Sequence, residues 1–98
     1  MTDKLAGLIG LCRKSGNLIC GATAVETVIK NKKSYIVLIA DDSGESIRKK
    51  IINLCTTYQA EYRIVKNKEW LGNATGLDDK AVVAVINKDF ADGIIKLI

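Results

Sequence analysis

Ninety-eight residues, 48% apolar and 27% charged with a net charge of +4, describe one folded domain over 1–98 and exclude a disordered or repeat-built chain. No apolar run reaches membrane-span length, and the start lacks a signal-peptide pattern, so a cytoplasmic location is expected. Histidine is absent and Cys12, Cys20 and Cys55 are widely spaced, which leaves no disulfide framework, no zinc motif and no histidine base.

The first helix is predicted over 3–14, where Leu5, Leu8, Ile9 and Cys12 recur at i, i+3, i+4 and i+7. Arg13 and Lys14 occupy its last turn and Gly16 stops it. Asn17–Cys20 reads as a short strand ended by Gly21. Thr23 and Glu26 have capping-box spacing, and Val25, Val28 and Ile29 form the apolar stripe of a second helix that runs into Lys30, Lys32 and Lys33. Tyr35–Ala40 has no polar break and suits a strand covered on both faces. Asp42 then stands three residues before Glu45, again capping-box spacing, at the start of a third helix over 45–58. Tyr62–Val65 alternates weakly, as a sheet edge does. Lys68–Ala74 is a short helix with Gly76 as its C-cap. Ala81–Ile86 is a second uninterrupted apolar strand, and Phe90, Ala91, Ile94 and Ile95 mark a closing helix. Helices and strands alternate throughout, which predicts an α/β sheet between helix layers with 35–40 and 81–86 central.

The residues offer few candidate sites. Each cysteine sits among apolar neighbours and reads as a small buried hydrophobe. Asp41 and Asp42 lie at a strand's C-terminal end, but no second acidic strand end accompanies them, so helix capping explains them better than a metal or phosphoryl site. Arg48, Lys49 and Lys50 spread around their helix and read as solvated surface, or as auxiliary phosphate contacts. Trp70 could stack on a base, yet no interleaved basic and aromatic patch surrounds it, and packing at a helix–sheet border is the better reading. The start of the second helix at Gly21, Ala22, Thr23 and Ala24 carries free N–H groups that suit a phosphate, beside the plainer reading of an ordinary capped helix. No catalytic constellation, cofactor site or metal site is evident, and the chain reads as a non-enzyme.

Four segments, in order and at these spacings, carry a resemblance: Cys20-Gly21-Ala22-Thr23-Ala24-Val25, the strand and turn IVLIADDS, the motif KEWLGNATG over Lys68–Gly76, and AVVAVI followed by Asp89-Phe90-Ala91. The chain resembles the kink-turn-binding ribosomal protein superfamily, most closely its small bacterial YlxQ-like branch. The resemblance implies a three-layer α-β-α sandwich with a mixed four-stranded sheet. It implies binding of a structured RNA, ribosomal or otherwise kinked, without catalysis, and association with the ribosome or the translation or transcription machinery. In such relatives the second helix enters the kinked RNA through a glycine-threonine-asparagine-glutamate run, with a lysine one turn later. A mainly apolar loop before the last strand covers a flipped-out base.

Carried over, that site comprises Gly21, Ala22, Thr23, Ala24 and Thr27, with Lys30, Lys32 and Lys33 bordering it and Lys80 and Ala81 in the covering loop. This sequence keeps Gly21 and Val25. Thr23 replaces the asparagine, Ala24 the glutamate and Thr27 the lysine, and the loop carries Asp78 and Asp79. The fold survives these departures, whereas kink-turn specificity is not implied by what is left. The alternative is a protein–protein interaction module on the same fold that has lost kink-turn binding.

Overall fold

The computed structural model describes residues 3–77 and 81–98. In chain order the elements are α1 (Lys4–Lys14), β1 (Leu18–Cys20), α2 (Ala22–Lys30), β2 (Ile36–Ala40), α3 (Glu45–Tyr58), β3 (Tyr62–Val65), α4 (Lys68–Thr75), β4 (Val82–Val85) and α5 (Lys88–Leu97). The strands form one sheet in the order β1-β4-β2-β3. β4 is antiparallel to β1 and β2, whereas β2 and β3 are parallel, in the register Val37 opposite Tyr62 and Ala40 opposite Val65. The mixed four-stranded sheet and its two central apolar strands are therefore as expected, with the weakly alternating 62–65 at an edge.

Side-chain alternation along the strands sorts the core into two layers. Ile36, Leu38, Ala40, Val83 and Val85 face Ile9, Cys12, Leu71, Ala91 and Ile94 of α1, α4 and α5. Val37, Ile39, Val82 and Ala84 face Val25, Ile29, Ile51 and Cys55 of α2 and α3. Because successive strand residues point to opposite faces, a strand covered on both sides must be apolar at every position. All five residues of β2 and all four of β4 are buried. Truncating Leu38 or Ile39 to alanine leaves a cavity in one layer and costs about 2–5 kcal/mol.

Two capping expectations fail. The Thr23–Glu26 box does not form, since α2 starts at Ala22 with Gly21 in the N-cap position at φ 98°, and no side chain caps it. Thr23 is then already inside the helix. Asp42 does not cap α3 either, because Gly44 at φ 93° holds that position. Asp42 turns instead to α4, where its Oδ1 accepts from the Lys68 N–H at 2.7 Å. In both places a glycine lies directly before the helix. It adopts a positive φ without steric cost and sets the chain's entry angle itself.

The sheet topology gathers three helix starts. β1, β2 and β3 run in the same direction, and each is followed by a helix: α2, α3 and α4 respectively. All three N-termini consequently lie at one end of the sheet, next to the beginning of β4.

Candidate functional site

The α2 start sits within this end. The Gly21 N–H donates to the Val82 carbonyl at 3.1 Å, and the Ala40 N–H donates to the Ala81 carbonyl at 2.8 Å. Gly21, Ala81 and the end of β2 are thus brought together. Lys80, expected in the same loop, lies outside the described residues, as do Asp78 and Asp79.

The three helix starts differ in what occupies them. At α4, Asn67 Oδ1 accepts from the Trp70 N–H at 2.7 Å, Asp42 accepts from Lys68, and Glu69 adds a carboxylate in the first turn. At α3 no side chain caps the helix, but Glu45 is in the first turn. At α2 the first turn holds no acidic residue, and no side chain among the described residues caps it. The first backbone hydrogen bond of α2 runs from the Val25 N–H to the Gly21 carbonyl at 3.0 Å. The N–H groups of Ala22, Thr23 and Ala24 precede it and have no intrahelical acceptor. Thr23 and Ala24 are exposed, and Ala22 is half-buried. Unsatisfied donors at the positive end of a helix dipole can hold an anionic oxygen.

Thr27 is exposed, but its hydroxyl donates back to the Thr23 carbonyl at 3.2 Å, one turn earlier. That i to i−4 bond occupies the donor and turns it along the helix.

Lys30, Lys32 and Lys33 are exposed at the other end of α2. The helix has nine residues, so at roughly 1.5 Å per residue its ends are about 13 Å apart. These lysines therefore do not converge with Gly21 on one point and can share only an extended ligand with it. The turn that presents them is a Schellman motif. The Lys33 N–H donates to the Val28 carbonyl and the Lys32 N–H to the Ile29 carbonyl, each at 3.0 Å, with Lys32 left-handed at φ 57°.

The basic residues of α3 behave differently. Arg48 pairs with Asp41 at 3.5 Å, Lys49 with Glu45 at 2.9 Å and Lys50 with Glu26 at 3.3 Å. Among the described residues no such partner reaches Lys30, Lys32 or Lys33. The α3 cations are locally compensated and the α2 cations are not.

Trp70 packs as its plainer reading predicts. It is half-buried against the α1–α4–α5 layer, its indole Nε1 donates to Asp3 Oδ2 at 2.7 Å, and the Lys66 ammonium stands 5.5 Å from the ring centroid. The indole N–H holds the Asp3 carboxyl below the usual carboxylate range, helped by the Ala6 N–H and by Lys66. Asp3 also caps α1 by accepting from Ala6. These ties, and the Asn67 and Asn87 caps of α4 and α5, escape the sequence reading. An asparagine directly before each helix was the available signal.

Cys12 and Cys55 are buried, and burial pushes both thiols up to about 11. Thiols so raised are poor nucleophiles and poor ligands near neutral pH. Among the described residues no group of three or more acidic or cysteine side chains assembles to hold a metal ion. No described helix is long and apolar enough to cross a membrane.

Known proteins resemble this chain in sequence and fold. The chain is 30% identical over 91 residues to the RNA-binding protein YlxQ of Bacillus subtilis (strain 168), across 93% of this chain and 91% of that protein. It is 36% identical over 57 residues to the RNA-binding protein YlxQ of Enterococcus faecium, across 58% and 55%. A solved protein of unknown function from Bacillus halodurans C superposes with a TM-score of 0.92 at 27% identity, over 98% of this chain and 97% of that one. The 15.5kD RNA binding protein of Giardia lamblia shares the fold, with a TM-score of 0.76 at 16% identity over 100% and 93%. The model of the ribosomal protein L7Ae/L30e/S12e/Gadd45 family matches residues 3–95, and the chain belongs to that family.

Proposed function

We propose that this protein binds a structured RNA, ribosomal or otherwise kinked, through the N-terminus of α2. The observation that carries this reading is the α2 start: three backbone donors that find no side-chain cap among the described residues and no first-turn carboxylate, set against Ala81 at the sheet end. Support also comes from the YlxQ relatives, which are named RNA-binding proteins, and from membership of a ribosomal protein family.

The mechanism divides between two kinds of contact. The N–H groups of Ala22, Thr23 and Ala24 hold backbone oxygens at the RNA bend, which needs no particular side chain. Lys30, Lys32 and Lys33, free of ion pairs among the described residues, neutralise phosphates further along the helix. Ala81 borders the bend from directly before β4. Ala24 has no polar group for a base edge, and the Thr27 hydroxyl is engaged within its own helix. Recognition accordingly rests on shape and backbone more than on base-edge readout. The protein acts as a ribonucleoprotein component without catalysis.

The test is a titration with a kink-turn RNA, the same RNA with its guanine–adenine pairs replaced, and a plain duplex, each at two salt concentrations. Tight binding only to the intact kink-turn supports shape recognition by the α2 start. Equal, strongly salt-dependent binding to all three reduces the function to general electrostatics. No binding to any of them would move the reading to a different structured RNA or to a protein-interaction module. Reversing Lys32 and Lys33 to glutamate should weaken binding and lower the salt slope by roughly 0.7–0.9 per lost phosphate contact, with the fold intact.

A further inference from the structure

The proposed RNA contacts leave α1 and α4, on the opposite face of the sheet, without a role. Between these helices runs an open groove of about 380 Å³. Its floor is nearly bare backbone, lined by Ala6, Gly7 and Gly10 of α1 and by Ala74 of α4. Gly10 has a reason within the fold, since a Cβ there would stand 3.1 Å from the Ala74 carbonyl oxygen. The two helices touch at that point.

Gly7 has no such reason. It is exposed in the interior of α1, and a Cβ built on it meets nothing within 4 Å among the described residues. Glycine is a poorer helix former than alanine there, and no close approach among the described residues requires it. Gly7, Leu11 and Lys14 stand at i, i+4 and i+7 and make one ridge along the groove. Leu11 is 59% exposed, the most exposed large apolar side chain among the described residues.

One end of the groove is cationic. Arg13 and Lys14 line it, and the Arg13 Nη1 reaches to 3.9 Å from the Cβ position of Gly76, across the C-terminus of α4. Among the described residues neither cation makes an ion pair and no carboxylate lines the groove. The surface thus combines a gap left by a missing side chain, an exposed leucine and two positive charges with no ion-pair partner among the described residues.

We infer that this groove docks an acidic amphipathic helix of a partner protein. The glycine lets a second helix backbone approach closely, small or apolar partner residues cover Gly7 and Leu11, and partner carboxylates meet Arg13 and Lys14. RNA suits the surface less well, because no aromatic side chain lines it for stacking and only one end is positive. The site is separate from the α2 start, so an RNA and a protein helix can be held together.

The test pans the full-length chain against a display library of short helical peptides with one randomised face. Each enriched peptide is then measured against Gly7→Leu and against the double variant Arg13→Glu/Lys14→Glu. Enriched peptides should pair Asp or Glu with small or apolar residues at helical spacing, and should lose about tenfold or more in affinity to both variants. Both variants should keep the native affinity for structured RNA. No enrichment, enrichment without acidic residues, or indifference to both variants overturns the proposal. A fall in RNA affinity for the charge-reversed variant also overturns it and assigns the groove to RNA. Gly7→Leu should melt no lower than the native chain. If it melts lower, the charge-reversed variant alone decides.

Discussion

Lys32 and Gln59 are the two non-glycine residues with left-handed backbones among the described residues, at φ 57° and 58°. Each closes a helix where glycine is the usual residue, and a side chain in that region carries a conformational cost. Lys32→Gly and Gln59→Gly should each raise stability by about 0.5–1 kcal/mol in chemical denaturation, less whatever glycine adds to the entropy of the unfolded chain. The two variants should differ in RNA binding. Lys32→Gly removes an exposed, unpaired cation from the proposed face and should weaken binding in a salt-dependent way, whereas Gln59→Gly should leave it unchanged. Stabilisation with undiminished RNA affinity in Lys32→Gly would remove Lys32 from the contact set.

At the scale of elements, Asp3 joins two helices. Its carboxylate caps α1 through Ala6 and accepts the Trp70 indole N–H from the first turn of α4. Asp3→Ala should therefore lower stability in chemical denaturation, because it removes a helix cap together with a charge-assisted hydrogen bond. The Asp3 carboxyl is held below its ordinary value of 3.8, first by the indole N–H. A depressed carboxyl pKa gives stability that is full above the ordinary value and is lost as pH falls through the lower, folded one. Trp70 emission should accordingly shift in that acid range, and Asp3→Asn should abolish the pH dependence of the shift. An identical titration in both proteins would refute the link. Such ties explain what the sequence did and did not disclose. Helix 45–58, the edge strand 62–65 and the two central strands were legible because each rests on a local pattern: helical spacing, weak alternation, or an unbroken apolar run. The Asp3–Trp70 pair spans 67 residues and the Asp42–Lys68 bond 26, and no local pattern encodes such a distance. The start of the candidate site was legible from Gly21 onward. Its openness was not, because that depends on Thr23 lying inside the helix rather than in the cap.

Across the whole molecule, each helix layer encloses one buried thiol: Cys12 beneath α1, α4 and α5, and Cys55 beneath α2 and α3. Burial raises both to about 11 from an ordinary value of 9.0, with neighbouring Cys20 adding to the effect on Cys12. The sign follows from where the protons sit. Below the unfolded value both states hold the thiol proton and stability is unaffected. Between the unfolded and folded values the unfolded chain loses its thiol protons while the folded chain retains them, so stability falls as pH rises. Moving from about pH 8 to about pH 10.5 should lower stability by about 2–4 kcal/mol through these two thiols together. Urea unfolding of the native chain and of Cys12→Ala/Cys55→Ala at both pH values separates this effect from lysine titration. The double variant should start less stable, because each truncation leaves a small cavity, but should lose less on alkalinisation. Equal losses in the two proteins would mean that the thiols do not govern the alkaline limit. A thiol reagent near neutral pH gives an independent check, since Cys12 and Cys55 should react only as fast as their layers open. Rapid labelling of either one in the folded chain would show that its layer is open to solvent and would undercut the two-layer core from which the pH dependence is derived.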